Sequence, residues 1–185
     1  DSQALVFKVN NIERLRMATD YTFQTPGSVA LSFGNGNVVA TTSILANFGA
    51  NNINNYVNGS TFGRSNTVNG AQGTAIGYGN TASNTDATAI GRSNMATGAQ
   101  STAIGYSNTA NGLRSLSIGY NNVANDTDAT AVGRSNTATN TASVFGYGNN
   151  GSGIRSVAIG NSNTASSADA VAVGRLNTSS GAQST

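Results

Sequence analysis

Residues 90–103 read IGRSNMATGAQSTA, and residues 104–117 read IGYSNTANGLRSLS. Both stretches have an apolar residue before Gly, Asn three residues after that Gly, and Ala two residues later. The apolar-Gly step recurs with spacings of 15, six of 14, one of 13 and two of 14. Its glycines are Gly34, Gly49, Gly63, Gly77, Gly91, Gly105, Gly119, Gly133, Gly146, Gly160 and Gly174. Thr, Asn, Ser and Gly between the apolar positions disfavour helical repeats and heptads, so the repeat predicts a short β coil.

We number each repeat from its Gly as position 1 and call equivalent positions a column. Position 1 and position 8 carry residue types that favour turns and tolerate positive φ, and extended runs lie between them at positions 4–6 and 11–14. Position 8 reads Gly70, Asn84, Gly98, Gly112, Asp126, Asn140, Gly153, Ser167 and Gly181, and Ser167 is the exception to the tolerance of positive φ. Coils of strand, turn, strand and turn, stacked about 4.8 Å apart, predict an all-β parallel β-roll, a solenoid of 14-residue coils.

Position 4 is Asn in every repeat. Side chains stacked at the strand spacing can pass amide hydrogen bonds from coil to coil, so we interpret this column as a structural Asn ladder. The alternative is a row of amides that binds a carbohydrate. The ladder comprises Asn66, Asn80, Asn94, Asn108, Asn122, Asn136, Asn149, Asn163 and Asn177.

The apolar columns predict the interior. Position 6 is mostly Ala, and position 14 forms the expected core ladder of Phe62, Ile76, Ile90, Ile104, Ile118, Val132, Phe145, Ile159 and Val173. Ala opposite Ile makes a thin core, and its burial hardly offsets the ordering entropy of each coil. We therefore expect a homotrimer, in which a shared axis buries side chains from three chains.

Position 2 forms a possible surface contact column. A guanidinium can lie over a phenol ring of the next coil, which favours a self-stacking ladder. The alternative is a receptor-binding stripe, since Tyr and Arg are enriched in binding hot spots. The column contains Arg64, Tyr78, Arg92, Tyr106, Tyr120, Arg134, Tyr147 and Arg175, with Asn161 as an interruption.

Position 10 carries opposite charges on adjacent coils. Arg114 lies one coil before Asp128, and Arg155 one coil before Asp169, so each pair is expected to bridge and to disfavour a one-coil slip. Isolated Asp residues do not make a calcium site, and we predict no metal.

The composition excludes most enzyme chemistry. The chain has no His and no Cys, and Lys8 is its one Lys, so we expect no catalytic residues, no cofactor and no enzyme activity. A net charge of +2 is no nucleic-acid footprint, and no apolar run is long enough for membrane insertion. Gly146, Gly148 and Gly151 fit a dinucleotide motif, but another coil follows instead of a helix.

The pattern of Ile90 to Ala103 resembles the 14-residue repeat of YadA-like trimeric autotransporter adhesin heads, Ala-Ile-Gly-x-x-Ser-x-Ala-x-Gly-x-x-Ser. Asn stands here where that family commonly has Ser. The resemblance covers residues from about 60 to 185 well and about 31 to 60 loosely. It implies a left-handed parallel β-roll that assembles as a trimer and serves in attachment.

Residues 1–30 lack the repeat, and we predict two domains: an N-terminal β-hairpin and junction element at 1–30, and the YadA-like β-roll at 31–185. Residues 4–9 and 12–17 are expected to be two strands around a turn, with Pro26 and Gly27 at the junction. The phrase apolar-x-Phe-x-x-Asn-x-x-Glu-Arg-Leu-Arg-Met resembles a hairpin motif of phage tail fibres and related fibre proteins.

These features favour a structural segment of a phage tail fibre or virion appendage that supports attachment to the host surface. The alternative is the head of a bacterial trimeric adhesin on the cell surface. A third hypothesis, an ice-binding solenoid, would use Thr at positions 5 and 12, but those columns lie on different strands. The expected partners are two further copies and a host receptor, glycan or protein, bound here or by a distal domain. Because the last repeat stops at position 12, we expect a longer fibre.

Overall fold

The computed structural model describes residues 5–9, 12–17, 30–39 and 45–185, and all regular structure in them is β-strand. One parallel sheet contains the longer strands β3 (Ala30–Phe33), β5 (Leu45–Ala50), β7 (Ser60–Arg64), β9 (Thr74–Tyr78), β11 (Thr88–Arg92), β13 (Thr102–Tyr106), β15 (Leu116–Tyr120), β17 (Thr130–Arg134), β19 (Ser143–Tyr147), β21 (Val157–Asn161) and β23 (Val171–Arg175). The other contains β4 (Val38–Val39), β6 (Ile53–Asn54), β8 (Thr67–Val68), β10 (Thr81–Ala82), β12 (Met95–Ala96), β14 (Thr109–Ala110), β16 (Val123–Ala124), β18 (Thr137–Ala138), β20 (Asn150–Gly151), β22 (Thr164–Ala165) and β24 (Thr178–Ser179). The predicted fold, an all-β parallel solenoid of 14-residue coils, is confirmed.

The two remaining strands form the N-terminal hairpin. Strands β1 (Leu5–Val9) and β2 (Ile12–Met17) pair antiparallel, with Leu5 opposite Met17. Pro26 and Gly27 lie outside the described residues, so the boundary between 1–30 and 31–185 stays a prediction.

Each coil contributes one strand to each sheet, and neighbouring coils pair in register. The pairing of β11 with β13 sets Thr88 opposite Thr102 and Gly91 opposite Gly105. Every position therefore stacks on the same position of the next coil. This register turns the sequence columns into rows of side chains that run along the solenoid.

The corners differ from the prediction in one respect. Position 1 is a true glycine corner: φ is 118° at Gly105, and a Cβ there would lie 2.1 Å from the carbonyl oxygen of Gly119. Positive φ at position 8 is wrong for the regular coils, because the left-handed residues are positions 3 and 10, as at Ser107 and Gln100. Position 8 requires a small residue in several coils for another reason, since a Cβ on Gly98 would lie 1.9 Å from the next coil's backbone.

The interior between the sheets holds positions 4, 6, 11 and 13. Ala82, Ala87 and Ala89 are fully buried, and Ala fills most of these columns apart from the Asn ladder. Successive residues of a strand point to opposite faces, so Ile90 faces outward once Ala89 faces inward. The predicted core ladder is therefore wrong as a coil interior, because the narrow gap between the sheets is filled by small side chains. Its members Phe62, Ile76, Ile90, Ile104, Ile118, Val132, Phe145, Ile159 and Val173 are half-buried or exposed on the outer face of the longer-stranded sheet.

Where the interior takes a larger residue, a neighbour is reduced to Gly. Val144 is fully buried, and a Cβ on Gly151 would lie 2.6 Å from its Cγ2. Val68 is likewise buried, and a Cβ on Gly59 or Gly73 would lie 2.9 Å from its Cγ1. The interior volume is thus conserved between coils although its composition is not.

One coil is a residue shorter, yet it does not break the register. Gly133 still pairs with Gly146, so the shortening is absorbed at the corner after β18. There Asn140 and Thr141 are consecutive left-handed residues. The N–H of Asn140 donates to the Asp126 carboxylate at 3.0 Å, which replaces part of the regular turn.

Candidate functional surfaces

The position 4 side chains form a continuous hydrogen-bonded ladder. The backbone N–H and the Nδ2 of Asn94 both donate to Oδ1 of Asn80 at 3.0 Å. The same Nδ2 also donates to the carbonyl of Ile90 at 2.9 Å and to that of Gly105 at 2.7 Å. Oδ1 of Asn94 in turn accepts from the N–H and the Nδ2 of Asn108. Each amide therefore links three coils and satisfies the carbonyl of the glycine corner.

This ladder lies inside the solenoid and not on a surface. Its members from Asn52 to Asn163 are 0–1% exposed, whereas Asn177 in the last coil is exposed. Asn177 still keeps its place in the row, because its N–H donates to Oδ1 of Asn163. Buried amides that are fully engaged with backbone groups offer a carbohydrate nothing to bind, so the geometry favours the structural interpretation.

Positions 12 and 14 together form the outer face of the longer-stranded sheet. Ile159 is 38% exposed and Val173 is 57% exposed, and the rings of Phe48 and Phe62 stack at 5.1 Å. Thr, Ser, Leu or Val at position 12 extends the same face. Among the described side chains this apolar face runs from Phe48 to Val173, nine coil steps or roughly 43 Å at 4.8 Å per step.

Position 2 forms a row of stacked rings and guanidinium groups, which we call the Arg/Tyr column. Arg92 lies over Tyr78 and Tyr106, with its guanidinium carbon 5.7 and 5.5 Å from the ring centroids. Tyr106 and Tyr120 stack at 5.3 Å with an interplanar angle of 8°. The stack continues without a break through Arg64, Tyr78, Arg92, Tyr106, Tyr120, Arg134 and Tyr147, and Arg175 stands beyond Asn161.

The position 10 ion pairs form with two hydrogen bonds each. Arg114 donates to both carboxylate oxygens of Asp128 at 2.7 Å, and Arg155 donates to those of Asp169 at 2.7 and 2.8 Å. Hydrogen bonding from Arg114 lowers the pKa of Asp128, and Arg155 lowers that of Asp169 in the same way. Both pairs are exposed, so solvent screens them strongly.

Charges are segregated between the two corners of residues 45–185. The four arginines of the Arg/Tyr column have no ion pair there, while the carboxylates of this range all lie at positions 8 and 10. Those carboxylates are Asp86, Asp126, Asp128 and Asp169. Within the described part of the chain, no three acidic side chains converge on a metal site, and no helix long and apolar enough to cross a membrane occurs.

Cavities on the described coils include one at the shortened corner and one in the last coil. The first has a volume of about 350 Å³ and is lined by Asp126, Thr127, Asn140, Thr141 and Ile154. Its Asp126 and Thr141 accept hydrogen bonds from backbone N–H groups, which indicates a structural use. The other, about 260 Å³, lies in the last coil beside β23 and β24.

The geometry defines a class, the parallel β-solenoid with a buried Asn ladder, and comparison with known proteins gives the family. The model described as the YadA head domain repeat (2 copies) matches residues 63–94, 96–122, 110–136 and 152–177, more than half of the chain. The chain therefore belongs to the YadA head domain repeat family, and it has the structural head domain of an adhesin-like protein. No curated protein matches it.

Sequence reasoning missed the outer apolar face, because it assigned position 14 to the interior. A signal was present: position 13 is almost always Ala or Ser, which fits a narrow gap between two sheets. The Thr columns at positions 5 and 12 lie on the outer faces of different sheets, so they form no paired array for ice.

Proposed function

We propose that this chain is the head of a trimeric adhesin displayed on a bacterial surface, where it acts as a stiff, non-enzymatic attachment rod. The observation that carries the proposal is the match of more than half of the chain to the YadA head domain repeat. The stacked coils and the buried ladder supply stiffness. Weak contacts repeated on three chains supply avidity toward a host glycan or protein receptor.

The outer face of the longer-stranded sheet supports the trimer. It places Ile104 and Ile118 side by side in adjacent coils, partly exposed, on a face that runs the length of the solenoid. The interior of each coil is mostly Ala, so burying this face against two further copies would add apolar area that the coil interior lacks. We therefore assign positions 12 and 14 to the subunit contacts.

Light scattering of the 185-residue chain tests this assembly. We expect three times the 18.6 kDa chain mass. Ile104→Glu with Ile118→Glu places charge in the face and should abolish the trimer. Thr109→Glu with Thr137→Glu adds the same charge to the outer face of the other sheet and should leave it intact. A monomeric wild-type chain, or a trimer that survives the isoleucine changes, contradicts the proposal.

The place of display is tested with antibodies raised against the chain. Immunogold labelling should decorate intact bacterial cells of the source culture. Label confined to phage particles would overturn the bacterial assignment.

The second candidate is a segment of a phage tail fibre or virion appendage. It is favoured by the antiparallel hairpin β1–β2, which carries the phrase that resembles a fibre motif. The same labelling experiment separates the two candidates, because only a fibre segment would be found on virions.

A further inference from the structure

The Arg/Tyr column presents positive charge that the described residues do not neutralise. Arg64, Arg92, Arg134 and Arg175 have no carboxylate partner within residues 45–185, whereas Arg114 and Arg155 are both paired at the other corner. The column therefore has four positive charges in a row along the solenoid axis.

The stacking of the Arg and Tyr side chains determines which of their atoms a ligand can contact. Arg92 covers one face of Tyr78 and one of Tyr106, and Tyr120 covers the other face of Tyr106. Tyr106 is nevertheless 39% exposed, so its exposed part is the ring edge and the hydroxyl group. Neutral sugars bind tyrosine through the ring face, and here that face is occupied. What remains is a row of N–H and O–H donors, which suits oxyanions.

The spacing of the four arginines further limits the class of ligand that can bind the column. Arg64 and Arg92 are two coils apart, about 10 Å, while Arg92 to Arg134 and Arg134 to Arg175 are three coils each, about 14 Å. A duplex nucleic acid carries a far denser row of charge, about one per 1.7 Å. A linear polymer with widely separated carboxylate or sulfate groups fits the column better.

We infer that the Arg/Tyr column binds a linear anionic polysaccharide that lies along the solenoid axis, with its carboxylate or sulfate groups on the guanidinium groups. This inference rests on the proposed attachment function and names its ligand class. Each contact is weak, and binding depends on several arginines in one row and on their repetition in the trimer.

The test is a binding titration of the full chain against immobilised chondroitin sulfate, hyaluronan, neutral dextran and duplex DNA at increasing salt. We expect binding to chondroitin sulfate, to hyaluronan or to both, none to dextran, and affinity that falls with salt. Both anionic polysaccharides carry one carboxylate per disaccharide, so binding to chondroitin sulfate alone assigns sulfate, and binding to hyaluronan as well extends the ligand to carboxylates.

Two charge-matched double variants provide the control. Arg92→Gln with Arg134→Gln should weaken binding about tenfold or more, because two guanidinium groups can no longer donate charge-assisted hydrogen bonds to the polymer. Arg114→Gln with Arg155→Gln removes the same net charge from the other corner and should leave binding within about twofold, since those guanidinium groups are engaged by Asp128 and Asp169. Light scattering of each variant accompanies the titration.

Four outcomes would overturn the inference: no binding to either anionic polymer, an equal loss in both double variants, tighter column-dependent binding to duplex DNA, or loss of the trimer in the Arg92 and Arg134 variant. A trimeric, surface-displayed chain that binds neither polymer would refute this inference alone. A chain that binds them but is found only on virions would refute the bacterial assignment alone.

Discussion

The Asn ladder and the Arg/Tyr column lie only two residues apart in every coil, yet their sequences follow opposite rules. Position 4 is Asn throughout, whereas position 2 changes between Arg, Tyr, Asn and Ala. Asn94 is buried and its amide bonds to backbone groups of three coils, whereas the guanidinium of Arg92, two residues earlier, lies over two exposed rings. Strict repetition in this chain therefore marks a buried hydrogen-bonding requirement, and variation marks a face whose contacts are interchangeable.

The largest expected effect comes from breaking the ladder. Asn94→Ala leaves Oδ1 of Asn80 without its side-chain donor and the N–H of Asn108 without its acceptor, so we expect a loss of about 3 kcal/mol or more in unfolding free energy. Chemical denaturation measures it. Asn94→Ser should lose less, because a hydroxyl can restore one bond. Arg92→Gln in the exposed Arg/Tyr column is the matched control. An equal loss of unfolding free energy in that variant would contradict the contrast between the buried ladder and the exposed column.

A second substitution tests the effect of side-chain volume in the interior, without removing a hydrogen bond. Gly151→Ala forces a methyl to within 2.6 Å of Val144 Cγ2 and should cost about 1–3 kcal/mol. Val144→Ala in the same chain relieves this contact and should restore part of the unfolding free energy, since the added methyl also lies 2.9 Å from Cβ of Ala142. If the two changes instead destabilise additively in thermal melts, the pairing of large with small residues is wrong.

Breaking the outer column should have a smaller effect. Arg134 lies 5.4 Å from the Tyr120 centroid and 5.3 Å from that of Tyr147, so Arg134→Gln should cost about 0.5–1 kcal/mol for each ring that the guanidinium no longer covers. Arg175→Gln is the control, since Asn161 and not an aromatic residue precedes it in the column. Thermal melts of both variants should differ, and identical melts would show that stacking does not stabilise the column.

The smallest effect belongs to the exposed ion pairs and depends on pH. Arg114 lowers the pKa of Asp128 in the folded state below the ordinary carboxyl pKa of 3.8. The ion pair therefore stabilises the folded chain above pH 3.8, and this stabilisation is lost as the pH falls through the pKa of Asp128 in the folded state. Asp128→Asn should therefore lower the melting temperature slightly at neutral pH and have no effect in strong acid. If Asp128→Asn instead lowers the melting temperature more as the pH falls, the predicted direction of the pH dependence is wrong.

The sequence predicted the coil, the glycine corner and the Asn row, because each depends on a residue type that one environment selects. It predicted the Arg/Tyr row for a different reason, because guanidinium groups and phenol rings can stack on each other at the coil spacing. It did not predict which of two adjacent apolar positions faces inward. Ala89 and Ile90 differ by one residue, and hydrophobicity alone favours the larger for burial. The decisive quantity is the gap between the sheets, which is a property of the whole coil and of the Asn side chains inside it.

The sequence also did not predict which residue of the second turn has positive φ, and the reason is related. Gln100 and Arg114 adopt positive φ although neither is a typical turn residue. Nearby Gly98 and Gly112 suggested that the left-handed residue was position 8, where small size is required by the next coil's backbone. Two physical causes for glycine, close approach and positive φ, look the same in a sequence.

The shortened coil shows where this architecture tolerates changes in length. Losing a residue after β18 leaves both sheets intact, because the change is confined to an exposed corner on the side away from the Asn ladder. We expect a peptide tag or an epitope inserted between Asn140 and Thr141 to leave the strand pairing of both sheets intact as well. The corner is therefore a grafting point for foreign sequences, at the cost of local hydrogen bonds such as that from Asn140 to Asp126 but with both stacked sheets kept.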